Sequence, residues 1–514
     1  MSRRFYLTTP IYYVNGSPHI GHAYTSIAAD VLARWKRLEG REVFFLTGTD
    51  EHGQKVEKAA AAAGLDPQSF TDRVAGEFRR MAERLDISFD DFIRTTEPRH
   101  KRATEALWQR LAERGEIYLG HYEGWYAVRD EAFYGEDELR TLPDGTRVAP
   151  TGAPVEWVRE PSYFFRLSAW QERLLAYYEE NPDFIAPTAR RNEVLSFVRA
   201  GLADLSISRT SFRWGIPVPG DPAHVIYVWI DALTNYISAL GFPDESSPRW
   251  AFWPADVHLV GKEIVRFHAV YWPALLMAAG LPPPRRVFSH GWWTVEGEKM
   301  SKSLGNVIDP LHLAETYGVD ALRYFLLREV PFGNDGDFSR KALITRRNVE
   351  LANDLGNLAQ RTLGFIARFG DGVRPALGPA GDEGEALLGE ARALPAALAP
   401  LFDRLAFHEA LEEIWRVVRA ANAFIDRAAP WHLRKTDRGA MERVLATLLE
   451  TIRVIATVLQ PVMPGSMAKL LDQLGVPAEK RSLAALAEAL PAGERLPPPE
   501  PLFPRLASAL EGEG

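Results

Sequence analysis

The sequence predicts an α/β protein: a parallel-sheet domain that carries a small β-rich insertion and is followed by an all-α helical bundle. Three observations predict it. Near the start, an apolar β-prone run (residues 5–9), a turn at Asn15-Gly16 and a helical apolar period open a strand–helix–strand unit, for which parallel pairing by right-handed crossover is the default. Between Gly120 and Pro161 the texture changes to short aromatic pieces punctuated by Gly and Pro (HYEGWYAV, PDGTRVAPTGAP). From Arg340 to about Leu474 strand signals cease and amphipathic helical periods take over.

A chain of 514 residues exceeds what a single core supports, so two or three domains are expected. The changes of texture divide it into residues 1–115 and 225–298 as halves of the sheet domain and 116–224 as the insertion. Residues 299–345 then form a loop and connecting region, 346–490 the helical domain and 491–514 a proline-rich tail. Hydrophobic content of 46% and charged content of 25% are those of a globular protein. The N-terminus has no apolar signal region and the most apolar stretch, residues 268–280, is too short to span a bilayer, so a cytoplasmic protein without a membrane partner is expected. A formal net charge of -8 argues against non-specific coating of nucleic acid and leaves local basic patches free to bind RNA. With no cysteine, disulfides, thiolate nucleophiles and cysteine-held zinc are excluded.

In chain order, Ser17 and Pro18 suit a helix start, and Ile20, Tyr24, Ile27, Val31 and Trp35 recur with helical period. A second strand is read over residues 42–46, and the alanine-rich run after Gly53 is helical. Strand and helix alternate again from near Val225. In the helical region Leu351, Leu355, Leu358 and Phe365 form one stripe. Residues 378–398, rich in Gly, Ala and Glu, read as a connector, as do residues 497–504, a tail able to pack back on the bundle.

Two short motifs carry chemistry. In SPHIGH, His19 and His22 sit at i and i+3 where a helix follows a strand, and a helix start already presents free N–H groups and a positive dipole end to phosphate. Gly21 leaves room for a flat base. Taken alone, the tetrapeptide reads more readily as two surface histidines near a helix start. KMSKS, at residues 299–303 between Gly297 and Gly305, changes the balance: Lys299 and Lys302 in a movable loop can reach a leaving pyrophosphate. Together the motifs point to nucleotidyl transfer.

With TTPIYYVNGSPHIGHAY (residues 8–24), FLTGTDEHG (45–53), YVWIDALTNY (227–236), GKEIVRFHAVYWPA (261–274), KMSKSLGNVIDP (299–310) and APW (429–431), the chain resembles the class I aminoacyl-tRNA synthetases, and among them the methionyl family, over nearly its whole length. The resemblance implies a Rossmann-type catalytic domain with a helical anticodon-binding domain. It implies ATP-dependent activation of L-methionine to an adenylate, with Mg2+ accompanying ATP, and transfer to the 3' end of tRNA(Met), elongator and initiator. By motif, His19, His22, Lys299 and Lys302 would be catalytic, and Gly21, Glu263 and Ser301 would join them in holding ATP. Methionine would lie against Ile11, Tyr13, Trp229, Ala232, Leu233, Tyr236, Ile264 and His268, with Asp50 holding its ammonium. Aromatic faces and a Tyr or His donor near the sulfur suit a polarizable thioether. For Asp50 a helix N-cap role is the structural alternative. For Trp229 and Tyr236 it is plain core.

In the helical region Asn357 and Arg361 share a face at i and i+4, and Trp431 follows Pro430, which ends or bends a helix. The resemblance makes these three the anticodon readers, since a presented indole stacks on a base and an arginine clamps a phosphate or base edge. Two departures from the family pattern stand out. Where many members carry a zinc knuckle, this chain has Ala127, Asp130 and the cysteine-free TRVAPTGAP, so an insertion without zinc, held by aromatic packing, is expected. The chain also stops near PLFPRL, where longer members append a dimerising domain, so a monomer is expected. A different class I specificity, a small-metabolite nucleotidylyltransferase and a catalytically dead RNA-binding paralogue are the rival readings. The absent editing insertion and zinc thiolates, the long helical domain and the retained His and Lys motifs argue against each in turn.

Overall fold

The computed structural model describes residues 3–301 and 304–506. The chain forms two compact units, one of Met1–Pro18, Val43–Glu83 and Phe89–His290, the other of His19–Glu42, Arg84–Ser88 and Gly291–Gly514.

The first unit is built on a seven-stranded sheet in the order Ile185–Ala186, Val287–His290, Val257–Gly261, Arg4–Thr8, Glu42–Asp50 and Tyr12–Tyr13, with Asp91–Arg94 also pairing to Glu42–Asp50. Its registered pairs are parallel. Both faces of such a sheet are covered, which is why FLTGTD reads as a continuous run and not an alternation. The strand Glu42–Asp50 therefore runs four residues past the expected 42–46, and its last seven residues are buried. Gly48 permits this, since a Cβ there would lie 1.9 Å from the Ile93 carbonyl oxygen of the neighbouring strand.

The expected β-rich insertion is present as a long antiparallel ribbon, Ile117–Ala127 against Glu156–Phe165, registered from Ile117↔Phe165 to Tyr126↔Glu156. Aromatic packing holds it: Tyr122 and Phe133 ring centroids are 3.8 Å apart, Tyr126 and Phe133 4.8 Å, and Trp125 and Trp157 5.2 Å. At its tip Ala127, Ala149 and Ala153 form a small buried cluster, and the Asp130 carboxylate accepts hydrogen bonds from the Thr151 hydroxyl and, at 2.9 Å, from Tyr134.

In the second unit the helix Ile20–Leu38 is fixed from several sides. The fully buried Asp30 carboxylate accepts from Arg323 Nη2 at 2.6 Å, and the same guanidinium donates to the carbonyls of Leu85, Pro461 and Val462. Burial alone would raise the Asp30 pKa, but Arg323, Arg34 and Ser88 hold it below the usual carboxylate range. Trp35 stacks on Phe402 at 4.2 Å. The helix does not start on Ser17-Pro18, because His19 is its N-cap.

The helical bundle includes Asn357–Phe369, Gly381–Asp403, Phe407–Ala428 and Arg438–Leu459. Leu351, Leu355 and Leu358 face its core as expected, whereas Phe365 is only half-buried. The stretch 378–398 corrects the sequence reading, since most of it belongs to the 23-residue helix Gly381–Asp403 and is no connector. Leu387, Ala391, Leu394, Leu398 and Phe402 bury one stripe along it, and that burial outweighs the helix-breaking tendency of Pro395 and Pro400. The tail does pack back: Phe503 is buried, Arg347 Nη1 donates to the Pro504 carbonyl at 2.7 Å, and Glu500 N donates to Gln473 Oε1 at 2.8 Å. No helix among the described residues is long and apolar enough to cross a membrane.

Candidate active site

Within the first unit the structure brings the predicted amino-acid pocket together. Ile11, Trp229, Ala232, Leu233 and Tyr236 belong to one buried cluster, with Tyr13, Ile264 and Phe267 packed against it. Trp229, on the helix Val228–Ser238, stacks flat on Phe267 at 3.8 Å and meets the edges of Tyr13 and His268 at 6.2 and 6.1 Å. Tyr13 and Asp50 are parallel-strand partners, so adjacent strand ends deliver both side chains to one corner. Asp50 closes its strand and Gly53 occupies the N-cap of the next helix, which removes the capping alternative for Asp50.

The electrostatics of this corner are unusual. Asp50 is 2% exposed, and burial together with the charges of Asp231 and Glu131 pushes its pKa well above the usual carboxylate range. Its Oδ1 has no hydrogen-bond partner, nor has Trp229 Nε1. Buried polar atoms without partners are costly, so a ligand that supplies their partners is favoured. Opposite, His268 Nδ1 lies 3.0 Å from the Ile264 carbonyl and must donate to it, which leaves Nε2 to accept from the Tyr236 hydroxyl at 2.6 Å. Burial lowers the His268 pKa to about 4, so the ring is neutral at pH 7. Both protons expected for the sulfur are thus given to protein acceptors, and the wall offers a thioether aromatic surface and lone pairs in place of a free donor. Tyr236 is braced in turn by the His258 ring at 4.1 Å, and its carbonyl accepts from Tyr6 Oη at 2.6 Å.

Several residues that the sequence reading passed over surround the same corner. Asp231 Oδ2 pairs with His52 Nδ1 at 2.7 Å and Oδ1 with His100 Nε2 at 2.6 Å, all three side chains being buried. Burial would raise the Asp231 carboxyl, but the two imidazoles hold it at about 2. Arg209 is buried with its guanidinium 4.3 Å from the Tyr227 ring centre, 4.4 Å from Phe133 and 5.3 Å from Tyr126. Glu131 comes from the insertion and Lys55 from the helix Gln54–Ala62. DEHG at residues 50–53 was a visible signal for His52, whereas nothing in the local pattern of Glu131, Arg209 or His100 announces the pocket.

The second unit holds the nucleotide motifs. His19 has extended backbone (φ −130°), its Nδ1 accepts from Gly21 N at 3.0 Å, and His22 Nδ1 accepts from His19 N at 3.1 Å, a reciprocal cap with the rings 3.9 Å apart. With both Nδ1 atoms accepting, the proton of each neutral ring is on Nε2, the tautomer that donates to a phosphate oxygen. A Cβ on Gly21 would fall 2.9 Å from His19 Cε1, so only glycine leaves that ring undisturbed. Ile20 N donates to the Ile308 carbonyl at 3.1 Å, tying the helix start to the segment after KMSKS. Lys299 leaves the hairpin Trp293–Val295/Glu298–Lys299 with its ammonium 4.6 Å from the Trp292 ring centre. Asn306 spans the loop, accepting from Ser301 N at 2.8 Å and donating to the Lys299 carbonyl at 3.3 Å. Lys302 lies outside the described residues. In the first unit Glu263 stands exposed on the short turn Lys262–Ile264, where a Cβ on Gly261 would meet its carboxylate at 2.4 Å.

The predicted anticodon residues also meet. Ala429 adopts a left-handed conformation (φ 44°) that ends the helix Phe407–Ala428, and Pro430 starts the short helix Pro430–Thr436, leaving Trp431 half-exposed. Arg361 lies 5.6 Å from the Trp431 ring centre and pairs with Asp426 at 2.6 Å, with exposed Asn357 one turn away.

The family described as tRNA synthetases class I (M) matches residues 5–363, and the anticodon binding domain of methionyl tRNA ligase matches residues 374–511. The chain is 56% identical over 513 residues to a methionine–tRNA ligase of Brucella suis, covering 99% of this chain and 100% of that one. It is 56% identical to one of Rickettsia felis, covering 98% and 99%. Its structure is similar to that of Mycobacterium tuberculosis methionyl-tRNA synthetase in complex with methionyl-adenylate, with a TM-score of 0.96, 53% identity and coverage of 98% and 100%. The free form of that protein gives a TM-score of 0.89 at 49% identity, with 98% of each chain covered. Both parts of the chain and nearly its full length are matched at more than half identity, so the chain belongs to the methionyl-tRNA synthetases of class I, the methionine–tRNA ligases.

Proposed function

We propose that the aromatic pocket of Tyr13, Trp229, Tyr236 and His268 holds L-methionine with its ammonium at Asp50, and that the chain activates it with ATP for transfer to tRNA(Met). The observation that carries this reading is the pairing of a neutral aromatic wall with buried, unpartnered polar atoms at one corner, Asp50 Oδ1 and Trp229 Nε1. An apolar thioether suits the wall and an ammonium suits the unsatisfied carboxylate. The Mycobacterium protein similar to it holds methionyl-adenylate.

In the first step a methionine carboxylate oxygen attacks the α-phosphorus of ATP, the bond to the β-phosphate oxygen breaks, and pyrophosphate leaves. His19 and His22 donate from Nε2 to the phosphate under attack, Gly21 admits the base, and Glu263 takes the ribose. Lys299, Ser301 and Lys302 neutralise and orient the departing pyrophosphate. Mg2+ accompanying ATP would offset charge on its phosphates. In the second step a terminal ribose hydroxyl of elongator or initiator tRNA attacks the carbonyl and AMP leaves. Asn357, Arg361 and Trp431 read the anticodon. We further propose a cytoplasmic monomer whose insertion holds no zinc.

ATP–pyrophosphate exchange with each of the twenty amino acids in the absence of tRNA tests the reading. Exchange with methionine is expected; exchange driven by a different amino acid would refute the specificity. Lys302→Ala is expected to slow exchange by orders of magnitude in a folded protein.

A further inference from the structure

We propose that Glu131, supplied by the insertion, is a second acceptor for the α-ammonium of the amino acid, completing with Asp50 a two-carboxylate subsite. The inference rests on the pocket being the methionine site and assigns to it a residue for which the sequence reading gave no role there.

Glu131 is 1% exposed, yet it sits in a left-handed conformation (φ 50°) that residues with a Cβ rarely adopt. Two contacts hold it there: its backbone N–H donates to the Val128 carbonyl at 3.3 Å, and its carbonyl accepts from Tyr227 Oη at 2.7 Å. Its carboxylate enters a space that Gly53 keeps open, where a Cβ would lie 2.2 Å from Oε1. The surroundings therefore over-determine both the backbone and the direction of the side chain.

The bland explanation is a helix cap, since Oε1 accepts from Lys55 N at 3.3 Å in the first turn of Gln54–Ala62. That contact accounts for Oε1 alone. Oε2 is buried without a hydrogen bond of good geometry, and the Tyr13 hydroxyl, which faces Glu131 and lowers its pKa, reaches it only imperfectly. Tyr13 pairs with Asp50 across the strands, and the charges of Asp50 and Glu131 both act on it. Asp50 Oδ1 likewise lacks a partner. Two carboxylate oxygens, Asp50 Oδ1 and Glu131 Oε2, thus have accepting capacity to spare, and an ammonium brings three donors.

Charge agrees with geometry. Two cations act on Glu131, the largely buried Lys55, 4.8 Å from the Tyr13 ring centre, and Arg209, yet neither donates a side-chain hydrogen bond to its Oε2. A substrate ammonium adds positive charge where Glu131 raises the Asp50 pKa, and so favours the ionised form of both. Without it, burial raises the Glu131 carboxyl to about 7 despite the lowering influence of Lys55, Tyr13 and Arg209.

The test compares wild type with Glu131→Gln, which keeps a carbonyl oxygen for Lys55 N and removes only the charge. KM for methionine in ATP–pyrophosphate exchange is expected to rise about 10- to 100-fold, with KM for ATP unchanged. Inhibition by L-methioninol, which carries the ammonium, is set against 4-(methylthio)butan-1-ol, which lacks it. The preference of wild type for methioninol should shrink by the same factor in the variant. If both inhibitors weaken equally, or neither does, Glu131 is a structural cap and the proposal falls. Wild type is measured first: failure to exchange with methionine overturns the substrate reading, and the alcohol pair of whichever amino acid does exchange then decides Glu131 separately.

Discussion

The proposed amino-acid pocket and the proposed anticodon corner each centre on a tryptophan, and they differ in what surrounds it. Trp229 is 6% exposed, stacked on Phe267, and set among carboxyls and hydroxyls whose pKa values burial has moved. Trp431 is half-exposed, and its neighbour Arg361 is ion-paired with an aspartate that is itself 63% exposed. A small ligand must be drawn out of water completely, so its site is dry and contains polar atoms left waiting for partners. A nucleic-acid loop is gripped by stacking and by charges that exchange partners cheaply, so its site stays wet and its ion pairs are weak.

The largest effect should follow from Asp50→Ala. Removing one partner of a buried charge pair typically costs 2 to 5 kcal/mol, so kcat/KM for methionine in exchange should fall roughly 30-fold or more. Charging of tRNA should fall with it. An Asp50→Ala enzyme with normal KM for methionine would place the ammonium elsewhere and dissolve the contrast between the two regions.

Trp431→Ala should act on the opposite side of the comparison. Loss of one base–aromatic stack costs about 1 to 3 kcal/mol, so charging efficiency should drop roughly 5- to 150-fold. Exchange without tRNA should not change. Equal loss in both assays would show that Trp431 supports the fold and reads nothing.

The same contrast governs what the sequence made legible. Parallel strands, the antiparallel insertion and the helix Ile20–Leu38 follow from local patterns of apolar residues and turn signals. So do Tyr13, Asp50 and Trp229, which belong to contiguous motifs. Two things escaped, for different physical reasons. The helix Gly381–Asp403 was hidden because its glycines and prolines carry breaker propensities that a tertiary stripe of Leu and Ala overrides. Glu131 and Arg209 were hidden because they reach the pocket through long-range packing, 78 residues apart in the chain, in stretches whose local chemistry is that of a surface ribbon. The Lys299 loop was legible as a loop, but its Asn306 clasp was not, since an amide five residues downstream is an ordinary turn residue until the chain closes.

A third effect, read in stability and not in activity, separates the regions by pH. In the empty pocket Glu131 is raised from 4.5 to about 7 by burial, against the lowering influence of Lys55, Tyr13 and Arg209. The folded state therefore binds more protons than the unfolded state between those two values, and stability falls as pH rises through that window. A shift of that size corresponds to about 3 kcal/mol. Glu131→Gln should melt above wild type at pH 8 in the absence of methionine, with the difference closing by pH 5. Saturating methionine should shrink the difference, because Asp50, Tyr13 and Glu131 then share an ammonium. A melting difference that ignores pH would mean that Glu131 is ionised and well paired in the free enzyme.

The smallest effect expected is that of a strong zinc chelator. If a metal held the insertion, its removal would loosen the ribbon that carries Glu131, so the pocket would weaken while the anticodon corner was spared. The knuckle positions argue otherwise. Ala127 and Ala149 are fully buried beside Ala153, and Asp130 is engaged by Thr151 and Tyr134, so small side chains and hydrogen bonds fill the space that thiolates and a metal would need. Elemental analysis of protein purified without added metal should find no stoichiometric zinc, and chelation with magnesium kept in excess should leave both exchange and charging unchanged. A selective loss of exchange on chelation, restored by zinc, would show that the insertion recruits the metal through other ligands, and would make metal supply a third difference between the two regions.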